Sequence, residues 1–374
     1  MDASSDAESL IVPALFSVKT AALKPAAGET PQPLQRVLVA YSAIETTVRG
    51  DPRELEAELE TIETAQTIAA QLTVAGIRAQ TYIVYALDDV DRIAKEFDVN
   101  KTLVFNLCEH LQGDSHRDGE IAQRMTDLNI QFTGASVSTL AHSLNKGRTK
   151  AMLQAAGVPT GRYQVLTRAD EPIHVPLPAI VKPLEEDASI GIDRHSVVHD
   201  EASLRQRVEY ILDLYREPAL IEEYIDGREF NVGMWGNGRL YTLPIAELDF
   251  GNWPTYQRFL HFDAKWNPEA PEYQTMYVRC PADVEPLLAE RIRRVARLAY
   301  RVMGCRDYAR VDMRMKNGRP MVLEVNPNPC LSPDSGFPNA ARVAGYEYPT
   351  MVAKIARWAW GRRFKQSRPA EASS

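Results

Sequence analysis

From Arg36 onward the chain runs Val37-Leu38-Val39-Ala40-Tyr41, an unbroken apolar stretch of strand length that predicts a strand buried on both faces. An acidic segment with helical spacing follows over about 52–75, then a second strand over 80–85, a helix over 87–97 and a third strand over 102–107. Strands that alternate with helices in this way predict a parallel sheet covered on both sides. A helix over 146–156 stops at Gly157-Val158-Pro159, where a glycine and a following proline end it. Beyond that stop the pattern predicts short strands at 163–166, 179–182 and 219–224, with a helix over 201–215 between the last two. Residues 239–279 keep no period and are rich in aromatics and proline, so they read as mostly irregular. An amphipathic helix over 284–302 leads into two alternating segments around Lys316-Asn317-Gly318-Arg319, a hairpin signal. A last helix covers 349–360, with Pro349 at its first position.

These shifts of pattern divide the chain into an extension (1–34), an N-terminal α/β domain (35–145), a central subdomain (146–235), a C-terminal subdomain (236–361) and a solvated tail (362–374). Composition changes the picture only by exclusion. With 45% hydrophobic and 25% charged residues and a formal net charge of -7, the chain reads as a globular protein with no nucleic-acid partner. The cysteines Cys108, Cys280, Cys305 and Cys330 are too scattered for a disulfide framework or a zinc ribbon, which points to a reducing cytoplasm. No run approaches the ~18 apolar residues of a membrane span, and the start, Met1-Asp2-Ala3-Ser4-Ser5-Asp6, is acidic rather than signal-like.

The chemistry concentrates in the hairpin. Asp312 and Glu324 would face each other across it, and Asn326, two residues past Glu324, shares that strand face. Hard oxygen donors of this kind select Mg²⁺ or Mn²⁺, with phosphate oxygens completing the shell. Lys182 ends an apolar strand ahead of the turn-prone segment 185–191, a placement that suits a phosphate group. The run Leu220-Ile221-Glu222-Glu223-Tyr224-Ile225, closed by Asp226-Gly227-Arg228-Glu229, offers an apolar edge with carboxylates for a nucleotide base.

In this order the motifs resemble the ATP-grasp superfamily, and within it the D-alanine-D-alanine ligase family, over about residues 36–358. Asn145-Lys146-Gly147-Arg148-Thr149-Lys150, Ala155-Ala156-Gly157-Val158-Pro159, Phe337-Pro338 and Ala344-Gly345-Tyr346 belong to the same resemblance. It implies a three-domain α/β architecture in which an N-terminal parallel α/β domain precedes two α+β domains that enclose ATP. The activity it implies is an ATP-dependent carboxylate-amine ligase that makes an amide, a dipeptide in the leading case, through an acylphosphate. It assigns Lys146 and Lys182 to ATP phosphates, and Glu222, Glu223, Ile225 and Glu229 to the adenine and ribose. Asp312, Glu324 and Asn326 would hold the metal, Arg310 the oxyanion, and Lys265, on a lid, the γ-phosphate. Amino acids are the partners so implied, with a homodimer as a possible assembly. A phosphotransferase or a nucleotide-binding regulatory protein on the same fold is the alternative.

The chain also departs from the family pattern. Ala188 stands where the family has a lid-locking serine and Trp266 where it has the partner tyrosine, which predicts that this polar latch is lost. Cys330 replaces a glycine whose NH serves the oxyanion. For the first substrate's amine the candidates are Glu58 and Glu60, and His110 is a candidate substrate contact. Ser335-Gly336 matches the region that holds the acceptor's carboxylate, although Asp334 beside it would repel one.

Overall fold

Alternate side chains of the first strand enter different cores. In β1 (Arg36–Ser42), Val37, Val39 and Tyr41 join one hydrophobic cluster while Leu38 and Ala40 join another. A computed structural model describes residues 33–43, 56–267 and 269–365, and Glu58, like the rest of 56–59, is placed there in backbone only. After β1 come α1 (Glu56–Val74), β2 (Ala79–Val84), α2 (Leu87–Glu96), β3 (Thr102–Leu107), α3 (Asp118–Asp127) and β4 (Gln131–Phe132). The strands pair in parallel in the order β2-β1-β3-β4. Ile68 and Leu72 of α1 cover one face, while Val90 and Ile93 of α2 and Ile121 and Met125 of α3 cover the other.

Two helices then meet at one residue. Asn145 separates α4 (Val137–Leu144) from α5 (Lys146–Ala155), and its side chain caps α5 by accepting from the Arg148 NH at 2.8 Å. The central sheet holds β5 (Tyr163–Leu166), β6 (Ala179–Pro183), β7 (Val197–Val198) and, after α6 (Glu201–Leu214), β8 (Ala219–Glu223), in the antiparallel order β5-β8-β6-β7. Leu204, Val208 and Ile211 of α6 pack on Val181 and Ile221.

The third sheet begins with β9 (Glu229–Gly236), reached through a turn that only glycine fits, since a Cβ on Gly227 would lie 1.9 Å from the Met315 carbonyl oxygen. It continues with β10 (Tyr241–Thr242), β11 (Ala246–Asp249), α7 (Phe262–Trp266), α8 (Pro271–Thr275) and β12 (Tyr277–Arg279). Just over half of 239–279 lies outside helices and strands, as the missing period predicts, with five short elements set into it. Its strands have only two to four residues each, too few to display a period, and are ordered by pairing onto β9 and one another. α9 (Pro286–Val302) buries Ile292, Val295, Ala296 and Ala299 against β9, β13 (Asp307–Lys316) and β14 (Arg319–Asn326).

The chain closes with α10 (Gly336–Val343) and α11 (Tyr348–Lys365). α11 shares its core with α1 and β1, where Met351, Val352, Ile355 and Ala359 sit with Val37, Val39, Ile68 and Leu72. The helix runs past the expected start of the tail because Arg362 ion-pairs with Asp307, which has no exposure, and donates to the Phe132 carbonyl at 2.5 Å. Asp307 also accepts from the Gly134 NH at 2.9 Å, so it ties the third sheet to the first domain.

Candidate active site

The hairpin forms as its pattern predicts, and Asp312 and Glu324 are direct partners across β13 and β14, with Arg310 opposite Asn326. A register shift after Asp312 marks a bulge beside these residues. On its other side Asp312 pairs with Asn231 of β9, whose side-chain amide donates to Asp312 Oδ1 at 2.8 Å. Arg310 Nε and its terminal nitrogen each meet one oxygen of Asp312 at 2.7 Å, a bidentate pair. Burial pushes the Asp312 carboxyl up to about 6 against the pull of that guanidinium. Burial would raise Glu324 as well, but Lys182, Lys146 and Arg310 outweigh it and keep this carboxyl low. A buried and a half-buried carboxylate and an amide oxygen make an all-oxygen donor set on the hairpin, which fits a hard divalent cation.

Next to this corner lies an ion triad. Glu222 is buried between Lys150 at 2.5 Å and Lys182 at 2.8 Å. Burial opposes its charge, yet the two lysines win and hold the Glu222 carboxyl down at about 2. Its side chain thus sits beside the expected phosphate lysine, not at an open base edge, because β8 is flanked on both sides by β5 and β6. Lys150 is a neighbour of this corner that sequence reasoning left without a role, inside the motif 145–150. It stands one helical turn from Lys146 on α5, so the spacing of the two lysines carries the signal. Its ammonium also reaches Thr160 Oγ1 at 3.0 Å and the Leu323 carbonyl at 3.3 Å, linking α5 to the strand that bears Glu324.

Lys146 itself is 8% exposed and donates to the Glu186 carbonyl and to Asp187 Oδ1, the latter at 3.3 Å. It therefore grips the loop that follows Lys182. That loop curls back at Gly191, where a Cβ would lie 2.3 Å from Pro183 Cγ.

On the far side of β8 the carboxylates separate. Glu223, one residue from Glu222, points to the other sheet face and pairs with Lys316 at 2.6 Å. Glu229 is 7% exposed and meets Arg314 at 2.7 Å, and the same arginine donates to the Ile225 carbonyl at 2.8 Å and to the Arg258 carbonyl. Its guanidinium lies 5.4 Å from the Tyr224 ring centroid and 5.5 Å from that of Phe250. Arg314 thus engages two of the four residues expected to face adenine and ribose, Ile225 and Glu229. It escaped the sequence reading because an arginine in an alternating strand reads as an outward position, whereas here it points inward.

The lid is closed down. Trp266 donates its indole NH to the Ala188 carbonyl at 3.1 Å, Ser189 donates to the Leu260 carbonyl at 3.1 Å, and the Phe262 NH donates to the Ile192 carbonyl at 2.9 Å. The expectation of a lost latch is corrected: an indole donor and a backbone acceptor replace the hydroxyl pair. Beneath it lies a cavity of about 230 Å³ whose wall includes Glu60, Asn106, His110, Lys265, Asn326 and Cys330. Burial and the nearby Arg310 lower the Lys265 ammonium below its ordinary value.

Glu60 reaches this wall and accepts from Ser332 Oγ at 2.7 Å, whereas the side chain of Glu58 lies outside the described residues. His110 is 3% exposed and spends its Nδ1 on the Gly113 NH at 3.2 Å. Burial, with the nearby Glu60, raises the Cys330 thiol and outweighs the Ser332 NH, which donates to its sulfur at 3.4 Å and pulls the other way. The backbone at Cys330 lies outside the left-handed region, so a side chain is accommodated without strain where the family has glycine. Ser335 and Gly336 are not on the cavity wall. They open α10, and Ser335 Oγ is committed to the Cys330 carbonyl at 2.8 Å.

Comparison with known proteins bears on the family and the fold. The family model described as "D-ala D-ala ligase C-terminus" matches residues 152–357. A D-alanine-D-alanine ligase of Desulforudis audaxviator is 29% identical over 76% of this chain and 90% of its own length. One of Alcanivorax borkumensis is 31% identical over 66% and 74%. A Sinorhizobium fredii protein, y4sG, described only as uncharacterized, is 35% identical over 68% and 73%. Among solved structures, D-alanine-D-alanine ligase from Bacillus anthracis in complex with ATP superposes with a TM-score of 0.68 at 22% identity, covering 89% of this chain and 99% of that one. The fold is that of this ATP-grasp group, and no described helix is long and apolar enough to cross a membrane. With more than half of its length matched by the family model, and the hairpin, lysines and lid in their expected order, the chain belongs to the D-alanine-D-alanine ligase family.

Proposed function

We propose that this protein makes a dipeptide or a related amide from an amino acid and a second amine, with Mg²⁺ bound at Asp312, Glu324 and Asn326. Family membership makes it an ATP-dependent, ADP-forming carboxylate-amine ligase. In that chemistry a substrate carboxylate oxygen attacks the γ-phosphorus of ATP, and ADP leaves. The amine nitrogen then attacks the acyl carbon, and the tetrahedral intermediate expels phosphate while the nitrogen loses its proton.

In this reading Lys146 and Lys182 hold the ATP phosphates, and Lys265 meets the phosphoryl group in transfer. Arg310 stabilises the oxyanion. Glu229 and the Ile225 carbonyl take the ribose and adenine once Arg314 yields or stacks beside them. Glu60 receives the ammonium of the first amino acid, with His110 shaping the wall beside it. Mg²⁺, when bound, neutralises developing charge on phosphate oxygens. The closed lid keeps water from the acylphosphate, for which the indole latch is the support. Since Ser335 is committed to Cys330 and Asp334 stands next to it, the acceptor need not carry a carboxylate, and D-alanine is one candidate among several amines.

The observation that carries the reading is the shared cavity, which joins the lid through Lys265, the metal corner through Asn326 and the N-terminal domain through Glu60. The test is phosphate release from Mg·ATP against single and paired D- and L-amino acids, with mass spectrometry of the products. Amide product from one pair establishes the substrates; ADP formation that never requires an amine would instead favour a phosphotransferase.

A further inference from the structure

A cluster outside the nucleotide site has the makings of a second metal centre. His116 lies in a short 3-10 turn (Ser115–Arg117) of the first domain, fixed by Asp114, which accepts from the His116 NH at 3.1 Å. Facing it from the central subdomain are Glu186, just after β6, and Glu217, just before β8. Their side chains are only 4% and 3% exposed. His116 Nε2 is 3.7 Å from Glu186 Oε1 and 3.4 Å from Glu217 Oε2.

These separations exceed the ~2.9 Å of an N–H···O bond but match the edge of a tetrahedron, about 3.4 Å for metal–ligand bonds of about 2.1 Å. One ligand atom from each of the three residues falls within 4.8 Å of the others. Glu217 supplies an independent sign, because it is buried and its Oε1 has no hydrogen-bond partner. A buried carboxylate oxygen left in that condition is costly unless a cation completes it.

The surroundings resemble an outer shell. The other imidazole nitrogen, Nδ1, faces Glu185 Oε2 at 3.7 Å, while Glu186 Oε2 accepts from Ser115 Oγ at 3.1 Å and Glu217 Oε2 from the Glu185 NH at 3.1 Å. Metal-binding histidines and carboxylates are usually oriented by such partners. Among the described residues no lysine or arginine forms an ion pair with Glu185 or Glu217.

We propose that His116, Glu186 and Glu217 bind one divalent first-row transition ion, zinc foremost, with water in the fourth position. One imidazole and two carboxylates favour zinc over magnesium, which rarely takes nitrogen. The ion would bridge the first domain to the loop 185–191 that Lys146 and the lid both grip. Occupancy would therefore fix the floor on which the lid closes. This inference does not depend on the substrates or on the ligase assignment.

The test uses the full chain stripped with chelator, dialysed against Zn²⁺ alone, passed through a desalting column and assayed by elemental analysis. The E324Q variant keeps the proposed cluster while weakening the hairpin site, so it should retain one zinc per chain, as should the wild type. E217Q and H116A should retain less than a tenth of that. Anomalous scattering at the zinc edge from wild-type crystals should place the ion among these three side chains, whatever the fate of the variants. Zinc retained equally by E217Q and H116A, no retention by the wild type, or an anomalous peak elsewhere would overturn the proposal.

Discussion

Arg310 grips both oxygens of Asp312, each at 2.7 Å, from two residues away on the same strand. The expected oxyanion donor and the expected metal ligand are thus each other's counterion, and Asn231 steadies the aspartate from β9. A lysine could supply the charge but not the fork. Arg310→Lys should lower kcat by about 10²-fold with a much smaller change in KM for ATP, which steady-state kinetics on the best substrate pair will show.

Removing charge from the hairpin should stop turnover without unfolding it. Asp312→Asn and Glu324→Gln are each expected to reduce kcat by at least about 10²-fold, while circular dichroism stays that of the parent. Near-normal Mg²⁺-dependent turnover in both variants would sink the metal assignment.

The Glu222 triad should be visible as stability. With Glu222 replaced by Gln, two buried ammonium groups lose their carboxylate, and a loss of about 3–5 kcal/mol is expected from breaking a buried pair. The pH dependence has a definite sign. The folded carboxyl sits near 2, below its ordinary 4.5, so its contribution is full above 4.5 and is lost as pH falls towards 2. Urea unfolding of parent and variant at pH 7 and pH 3 should show the gap narrowing in acid.

Asp118 behaves in the opposite sense. Burial, then the nearby Asp187, raises its carboxyl to about 7 from an ordinary 3.8, so ionisation is penalised in the folded state. The penalty is nil below 3.8, grows between the two values and is complete above 7. Asp118→Asn should therefore raise Tm at pH 8 and leave it unchanged at pH 4, a comparison that thermal melts at the two pH values will make.

The lid latch predicts a coupling defect. Trp266→Phe keeps the ring but deletes the NH that reaches the Ala188 carbonyl. Several-fold more ADP should then form per amide made, because water reaches the acylphosphate. A ratio of ADP to amide equal to the parent's would mean that the latch does not seal the site.

The sequence made some of this legible and hid the rest for physical reasons. The turn signal brought Asp312 and Glu324 close in advance, but the turn register alone, with Lys316 opposite Arg319, would set Asp312 against Leu323; the bulge after Asp312, which the pattern does not show, puts Glu324 opposite it. Lys182 was visible from its place at a strand end. Arg314 was not, since an arginine inside an alternating strand looks like an outward residue until Glu229, the Ile225 carbonyl and the Tyr224 ring are seen around it. Strands β10 to β12 exist only through their partners. The Trp266 latch was misread because residue types alone show a lost hydroxyl pair, whereas the bond that replaces it uses a backbone carbonyl.

The docking of α11 on α1 and β1 bears on how the chain is made. The first domain has its own sheet, with α1 on one face and α2 and α3 on the other, early in synthesis, but Met351, Val352 and Ile355, which complete the α1 face, are made only after the two subdomains that follow. Until the ribosome has released them, one side of β1 and β3 stays partly bare, and Asp307 waits for Arg362. The domain of β1 is thus completed only after the two subdomains that follow it in the chain. A chain cut short before residue 348 should expose that face and be held by chaperones or degraded, even though every residue proposed to touch ATP is present.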